Sequence, residues 1–574
     1  EICACLVGSE MCIRDRIIGI ITSILLSSCE DFLTTYPQNQ LTAGTFFKTD
    51  DDFAAAANGM YSVMTGYPSE FFPMIDGITP FAGETATSRC GVFNPYNGRL
   101  PMVSSSLDFT RQCWQNMYKG IACANNILTN TEKPANVSQQ VFDRTLGEAY
   151  FIRGYAYFTL VTLFGDIPLF TEPQVSYDQV LKPRTPKSEV ITQIIADFEK
   201  AKQLLPSVKE YRGTANLGRA SKGAAQAFLG KVYVYEKRWT DAKKEFAALV
   251  DVQDADYDLT PHYYDQFWPD GENGIESIYE IQYDPSRPAA TGQYAMNRFM
   301  DFINPPAEAN MNFTGGFGYL EPTEYYCDLF ETLNGYKVAS TYIDRTDATP
   351  GPVFNYNYES KDPKFNATAP YEIRDPRLKY TVWYEDSPAV EEFIQKTGQD
   401  NANFKSRYSK TSNHCVVKYI VGKLGGKGGY SPMNMIVMRY ADVLLLYAET
   451  CIHENDLPKA VSLINRVRNR VNMPSVEQIG TIQGVDIAGN KENLMRYLQQ
   501  ERFRELGFEW GHMMFDMARW DILVSELKDY WTQGRDGWPT FSSTALQFTK
   551  DCYLFPIPEQ EMTSNPLLKQ NPGY

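Results

Sequence analysis

Around residues 226 to 250 the chain reads AFLGKVYVYEKRWTDAKKEFAALV, and this stretch constrains the fold more than any other. Leu229-Gly230 precedes Tyr233 at an L-G-x2-Y spacing, and Ala242 precedes Phe246 at an A-x3-F spacing. On two helices joined by a tight turn, a glycine in the first lets the second approach closely, and the aromatic ring of the second fills the gap beside it.

That spacing is the one found in tetratricopeptide repeats, here degenerate because Gln226 stands where the leading Trp belongs. A second copy runs from 441 to 471, where Ala448 precedes Ala460 by the same twelve residues that separate Gly230 from Ala242 and Ile464 takes the aromatic's place. A third helix is predicted from Ser138 to Gly165, with Phe142, Leu146, Ala149, Ala156, Leu160 and Leu163 on one stripe. Arg153 sits on that stripe and is expected to pair with a carboxylate of a neighbouring helix. Gly165-Asp166-Ile167-Pro168 stops the helix, and Ser188 opens its partner, which runs to Pro206. The expected class is mainly α: a tetratricopeptide-type helical-hairpin scaffold with long loop-rich insertions and a few short strands.

Residues 67–108 and 254–432 have another texture, rich in Tyr, Phe, Asn, Gly and Pro, with short strand candidates such as Ser277 to Tyr283. Loops of that length are functional or disordered. Their aromatic content argues for function.

At the amino-terminal end, IIGIITSILLSS at 17–28 follows Arg14 and Arg16 and closes on Cys29. The run is too short to span a bilayer, which takes about 20 residues. It fits a secretory h-region, and Leu26-Ser27-Ser28-Cys29 fits a lipoprotein cleavage site with lipidation of Cys29. The stretch ending MCIRDR at 11–16 reads as assembly read-through, and residues 1 to about 13 are set aside. The expected organisation is a signal peptide at 1–28, a lipidated amino terminus and first helix at 29–66, and a helical scaffold at 67–253 with its loop insertion at 67–108. A loop-rich ligand-binding region at 254–432 and carboxy-terminal helical repeats with a Pro-rich tail at 433–574 complete it.

The formal charge of −16 and the lack of a basic stripe argue against nucleic acid. Of eleven cysteines, seven are scattered through the body without close pairs, unlike a disulfide framework or a zinc motif, and Cys451 reads as a small core residue. The four histidines, His262, His414, His453 and His512, form no H-E-x-x-H pair. No G-x-S-x-G elbow occurs, and GKLGGKGG at 422–429 is one residue short of a phosphate loop with Gly428 where Ser or Thr is needed. Glu501, Glu505 and Glu509 recur every four residues beside Arg502 and Arg504. A glycosidase needs its carboxyls across a cleft, so this ladder reads as an ion-pair network. Neither catalysis, a cofactor nor a metal is expected.

Five blocks then carry a family resemblance: EDFLTTYPQNQLTAGTFFKTDDDFAAAANGMYSVM after Cys29, GEAYFIRGYAYFTLVTLFGDIPL, MRYADVLLLYAE, ERFRELGFEWGHMMFDMARW and the closing FPIPEQEMTSNPLLKQNPGY. In that order they resemble the SusD/RagB-like outer-membrane nutrient-binding lipoproteins. The resemblance implies a lipid-anchored protein on the outer face of the bacterial outer membrane. Such a protein binds an oligo- or polysaccharide and hands it to a SusC-like TonB-dependent transporter, with peptide cargo in some members. A protein-binding helical scaffold without a small ligand is the more distant alternative. Glu30-Asp31 resembles the acidic surface-export signal, and His512 stands where relatives more often carry Arg.

Sugars are caught by flat aromatic rings and oriented by Asn, Asp or Arg. The candidate ligand contacts are Tyr96, Asn97 and Arg99 in the first variable stretch, and Trp268, Tyr283, Tyr294, Phe317 and Tyr319 in the second. Trp268 ranks first because the loop Phe267-Trp268-Pro269-Asp270-Gly271 is a difficult place to bury so large a ring.

Overall fold

The computed structural model describes residues 46–65, 72, 75–84, 105, 108–130, 132–253, 255–283, 320–347, 353–384, 412–419, 433–537 and 549–574. Cys29, Tyr96, Asn97, Arg99, Tyr294, Phe317 and Tyr319 lie outside the described residues, as do the leader and the glycine-rich run at 422–429. The longer helices are α1 (Asp50–Ser62), α2 (Asp108–Leu128), α3 (Gln139–Phe164), α4 (Lys187–Leu204), α5 (Lys222–Tyr235), α6 (Trp239–Val250), α7 (Tyr440–His453), α8 (Leu457–Arg470), α9 (Val476–Gln483), α10 (Lys491–Leu506), α11 (His512–Arg519) and α12 (Leu523–Thr532). No helix among the described residues is long and apolar enough to cross a membrane.

Two compact units share the chain. The smaller comprises residues 1–55 and 132–142. Within it α1 opens on a reciprocal cap: Asp52 Oδ2 accepts from the Lys48 and Thr49 amides (2.9 Å each), while the Asp52 amide donates to Thr49 Oγ1 (3.3 Å). Phe53 meets Phe47 and Phe142 edge-on at 5.2 and 5.6 Å, and Asp50 Oδ1 accepts from the Ser138 amide at 2.7 Å.

The larger unit, residues 56–131 and 143–574, contains the helical hairpins. In the first, α5 and α6, Gly230 touches the ring it was expected to accommodate: a Cβ there would lie 2.6 Å from Phe246 Cε1. Its turn places Lys237 at φ 56° and returns the Arg238 amide to the Tyr233 carbonyl at 2.8 Å. The hairpin α7–α8 repeats that turn, with Asn455 at φ 62° and the Asp456 amide on the Cys451 carbonyl at 2.7 Å. These two hairpins, far apart in sequence, are neighbours in space. Lys243 reaches Asp456 (2.9 Å), Tyr447 Oη donates to Asp251 (2.7 Å), and Lys459 closes on Asp251 (2.6 Å). Cys451 is fully buried in α7.

Upstream, α3 packs on α4 through Phe151 and Phe198 (5.7 Å) and through Arg153, which grips Asp197 with two bonds of 2.7 and 2.9 Å. Gly165 at φ +72° ends α3. The expected boundaries hold to within a residue or two at either end of both helices.

Among the described residues the strands form four two-stranded antiparallel sheets. β2 (Ser277–Ile281) pairs with β8 (Met435–Arg439), tying the start of the long insertion to the chain just before α7. β1 (Ala82–Glu84) pairs with β3 (Leu320–Pro322), and β6 (Val382–Trp383) with β7 (Cys415–Val416). The remaining pair is the longest: β4 (Val338–Thr346) and β5 (Val353–Ser360) make a ribbon of nine and eight residues, in keeping with the few strands expected. Burial alternates along it: Val338 and Phe354 are buried, Ser340, Tyr342, Tyr356 and Tyr358 are half-buried, and most positions between them are exposed, so one face is partly covered.

Candidate functional site

The described part of the loop-rich region is built around the β2–β8 ribbon. Asn434, at the start of β8, accepts from the Tyr283 amide (2.9 Å), donates from Nδ2 to Glu280 (3.0 Å) and Gln282 (3.0 Å), and gives its own amide to Glu272 Oε1 (2.8 Å). One residue thus joins the loop after Trp268 to the segment just past β2, where Tyr283 stands. Burial pushes the Glu272 carboxyl up to about 7, against the pull of the Asn434 amide.

Trp268 lies between two 3₁₀ turns, Asp265–Phe267 and Pro269–Gly271. The backbone winds so tightly that a Cβ on Gly271 would sit 2.0 Å from the Asp265 carbonyl. That compression buries the ring, which is only 8% exposed and lies 6.5 Å from Tyr264, correcting the expectation that this loop is a poor place to bury it. Tyr283 is also buried, at 9%. Of the eight sequence-derived contacts the structure describes these two, and both are buried.

Residues not singled out from the sequence complete the surroundings. Tyr264 stacks on the half-buried Tyr380 (5.1 Å, 15° between planes), and Lys379 Nζ lies 4.5 Å from the centre of the Tyr380 ring. A row of tyrosines crosses from the ribbon inward: Tyr342 to Tyr356 (5.8 Å), Tyr356 to Tyr358 (6.1 Å), Tyr358 to Tyr371 (6.0 Å) and Tyr371 to Tyr384 (4.3 Å, stacked). The density of tyrosine between 254 and 432 was the one available signal. It marked the region without separating one ring from another.

Behind this region, the carboxylate ladder of α10 is the hub of a buried ion-pair network. Arg377, from the insertion, donates to Glu501 (2.7 Å), Glu505 (3.0 Å) and Asp375 (2.7 Å). Arg439, the last residue of β8, reaches Glu276 (2.7 Å), Glu505 (2.6 Å) and Glu509 (2.8 Å). Arg468 spans Glu501 and Glu331 (3.0 Å each), Arg470 bridges Glu276 and Glu505, and Lys418 holds Glu509 (2.8 Å). Burial raises the Glu501 and Glu505 carboxyls, but the surrounding arginines outweigh it and hold both well below the usual range. Neither is a proton donor, and neither faces a cleft, so the geometry offers no glycosidase pair here.

His512 sits beside a carboxylate that is already paired. Burial, then Lys231, pushes its imidazole down to about 4, and Asp442 beside it is already held by Lys231 (3.1 Å) and Arg502 (2.8 Å). A neutral ring suits a position whose carboxylate has two cations.

Stacked helical hairpins bear a loop-rich insertion, with aromatic side chains around the β2–β8 and β4–β5 ribbons and a buried ionic hub beside them, the architecture of a helical-repeat protein. The sequence pattern of the SusD family matches residues 275–574, and a second pattern, described as starch-binding and associating with the outer membrane, matches residues 87–234. The chain belongs to the SusD family. It is 26% identical to SusD-like protein P2 of Formosa agariphila, with 97% of this chain and 99% of that protein covered. Against SusD-like protein P25 of the same organism the identity is 24%, covering 98% and 100%.

Solved structures share the fold. A SusD-like carbohydrate-binding protein from Bacteroides fragilis superposes with a TM-score of 0.69 at 21% identity, covering 92% of this chain and 100% of its own. Surface glycan-binding protein A from Bacteroides thetaiotaomicron, in complex with laminarihexaose, gives 0.66 at 17% identity, covering 91% and 100%.

Proposed function

We propose that this chain is a surface lipoprotein, anchored through Cys29 at the outer face of the outer membrane, that binds a complex glycan and delivers it to a SusC-like TonB-dependent transporter without transforming it. The observation that carries the reading is membership of the SusD family together with a fold shared with a surface glycan-binding protein solved in complex with laminarihexaose. The concentration of tyrosine around the β2–β8 and β4–β5 ribbons supports it, because flat rings lose little entropy when they meet the apolar face of a sugar. The ligand lies against the loop-rich insertion. Trp268 and Tyr283 form its inner wall, and Tyr96, Asn97, Arg99, Tyr294, Phe317 and Tyr319 complete the proposed set of contacts.

Affinity-gel electrophoresis of the chain truncated after Cys29, run against plant, fungal and host polysaccharides, tests this reading. Retardation by at least one polysaccharide is expected. Silence across the panel, with heat released on titration of a peptide mixture, would overturn the glycan cargo.

A further inference from the structure

The helical turn Glu324–Cys327 and the residue before β7 bring three unlike donors together. A Glu324 carboxylate oxygen, the Cys327 Sγ and a His414 ring nitrogen all lie within 4.8 Å of one another, and all three residues are fully buried. Glu324 Oε2 is 3.3 Å from His414 Nε2. Glu324 and Cys327 share a helical face because they are three residues apart, while His414 arrives from far along the chain.

Hydrogen bonding alone leaves this cluster incomplete. Glu324 Oε1 is buried and has no hydrogen-bond partner. Among the described residues Glu324 makes no ion pair with an arginine or lysine. The nearby Arg374 instead gives its guanidinium to the carbonyls of Cys327, Phe330 and Pro370. The contrast with Glu501, Glu505 and Glu509 is direct, since each of those is met by at least two cations. A buried carboxyl without a cation either holds a proton or gains a cation, and beside a thiol and an imidazole a dication would complete it.

We propose that Glu324, Cys327 and His414 form a structural site for a divalent ion of the zinc class. Thiolate and imidazole donors select a borderline-soft ion and disfavour calcium or magnesium, which take oxygen alone. A thiolate and a carboxylate balance the double charge, and a water fills the fourth position of a tetrahedron. Zinc bonds of about 2.0–2.3 Å set donors roughly 3.3–3.8 Å apart, so closure around the ion takes side-chain shifts of about an ångström. The outer shell is in place: Tyr371 Oη (2.7 Å) and Tyr358 Oη (3.2 Å) both donate to Glu324 Oε2 and fix its orientation. The ion ties the Glu324–Cys327 turn to β7, two segments the backbone does not otherwise join covalently over some ninety residues.

Cobalt(II) titration of the chelator-stripped full-length chain tests the site. One cobalt per chain is expected, with tetrahedral visible bands and a near-ultraviolet thiolate-to-metal band that disappears in Cys327→Ser. His414→Gln should weaken uptake at least tenfold, and zinc should raise the thermal midpoint of the wild type but not of either variant. X-ray absorption at the zinc edge of the wild type carries the test if a variant fails to fold, with a shell of one sulfur and mixed nitrogen and oxygen expected. No uptake, a shell of oxygen alone, or a thiolate band that survives Cys327→Ser would overturn the proposal.

Discussion

Glu505 shows how residue-level physics sets the stability of this protein. It is fully buried and meets Arg377, Arg439 and Arg470, so Glu505→Gln leaves three guanidinium groups sharing fewer charges in a water-free place. Breaking a buried pair from one side costs about 3–5 kcal/mol, and urea denaturation should show a loss of that order. A loss under about 1 kcal/mol would mean that the network is slack or hydrated. His512 offers a second reading of the same interior. Its folded pKa of about 4 lies below the ordinary 6.5, so the stability it contributes is present above pH 6.5 and is lost as pH falls through 4. The advantage of wild type over His512→Gln should therefore shrink across that window by on the order of 3 kcal/mol, measured as the difference between their denaturation curves. A difference that stays flat from pH 6.5 to 4 would contradict it. At the candidate ligand wall, Trp268→Ala should weaken glycan binding by about 1–3 kcal/mol in a protein that still folds, and unchanged affinity would remove the ring from the site. At this scale the sequence was legible where one helix carried the whole pattern. Arg153 on its stripe announced a partner, and the Glu501–Glu509 ladder announced ion pairs. Arg377, Lys418 and Arg439 could not be assigned to that ladder, because long-range packing alone brings them to it.

At the scale of elements, the hairpin α5–α6 depends on a missing side chain. A Cβ on Gly230 meets the fully buried Phe246 ring at 2.6 Å, and the ring has nowhere to move. Gly230→Val should cost about 1–3 kcal/mol by overpacking, read from chemical denaturation, and a neutral outcome would show that the helices can part without loss. This hairpin and its α7–α8 counterpart were legible because their period, small residues and spacing are local. The β4–β5 ribbon was not, since its partly covered face is marked by tyrosines within a stretch where tyrosine is common throughout. Its stability comes from the ladder itself and from cross-strand contacts such as Tyr342 with Tyr356.

The larger unit as a whole divides its work between parts that the chain order hides. Hairpins separated by the long insertion stack directly on each other, and β2 with β8 closes the insertion at its base like a clasp. Arg439 sits on that clasp and joins it to the ionic hub of α10, so the insertion is held at its root. Sequence periodicity predicts the hairpins but says nothing of which ones touch, nor of how a tyrosine-rich stretch folds back on itself. Under the proposed function the scaffold carries the insertion, and the insertion binds the glycan. Hydrogen exchange with and without the retarding glycan tests it most directly. Protection is predicted within 254–432, including the segment around Trp268 and Tyr283, with α5 to α8 unchanged. Protection confined to the outer faces of those helices would instead mark a repeat scaffold that recruits partners, and would contradict the account.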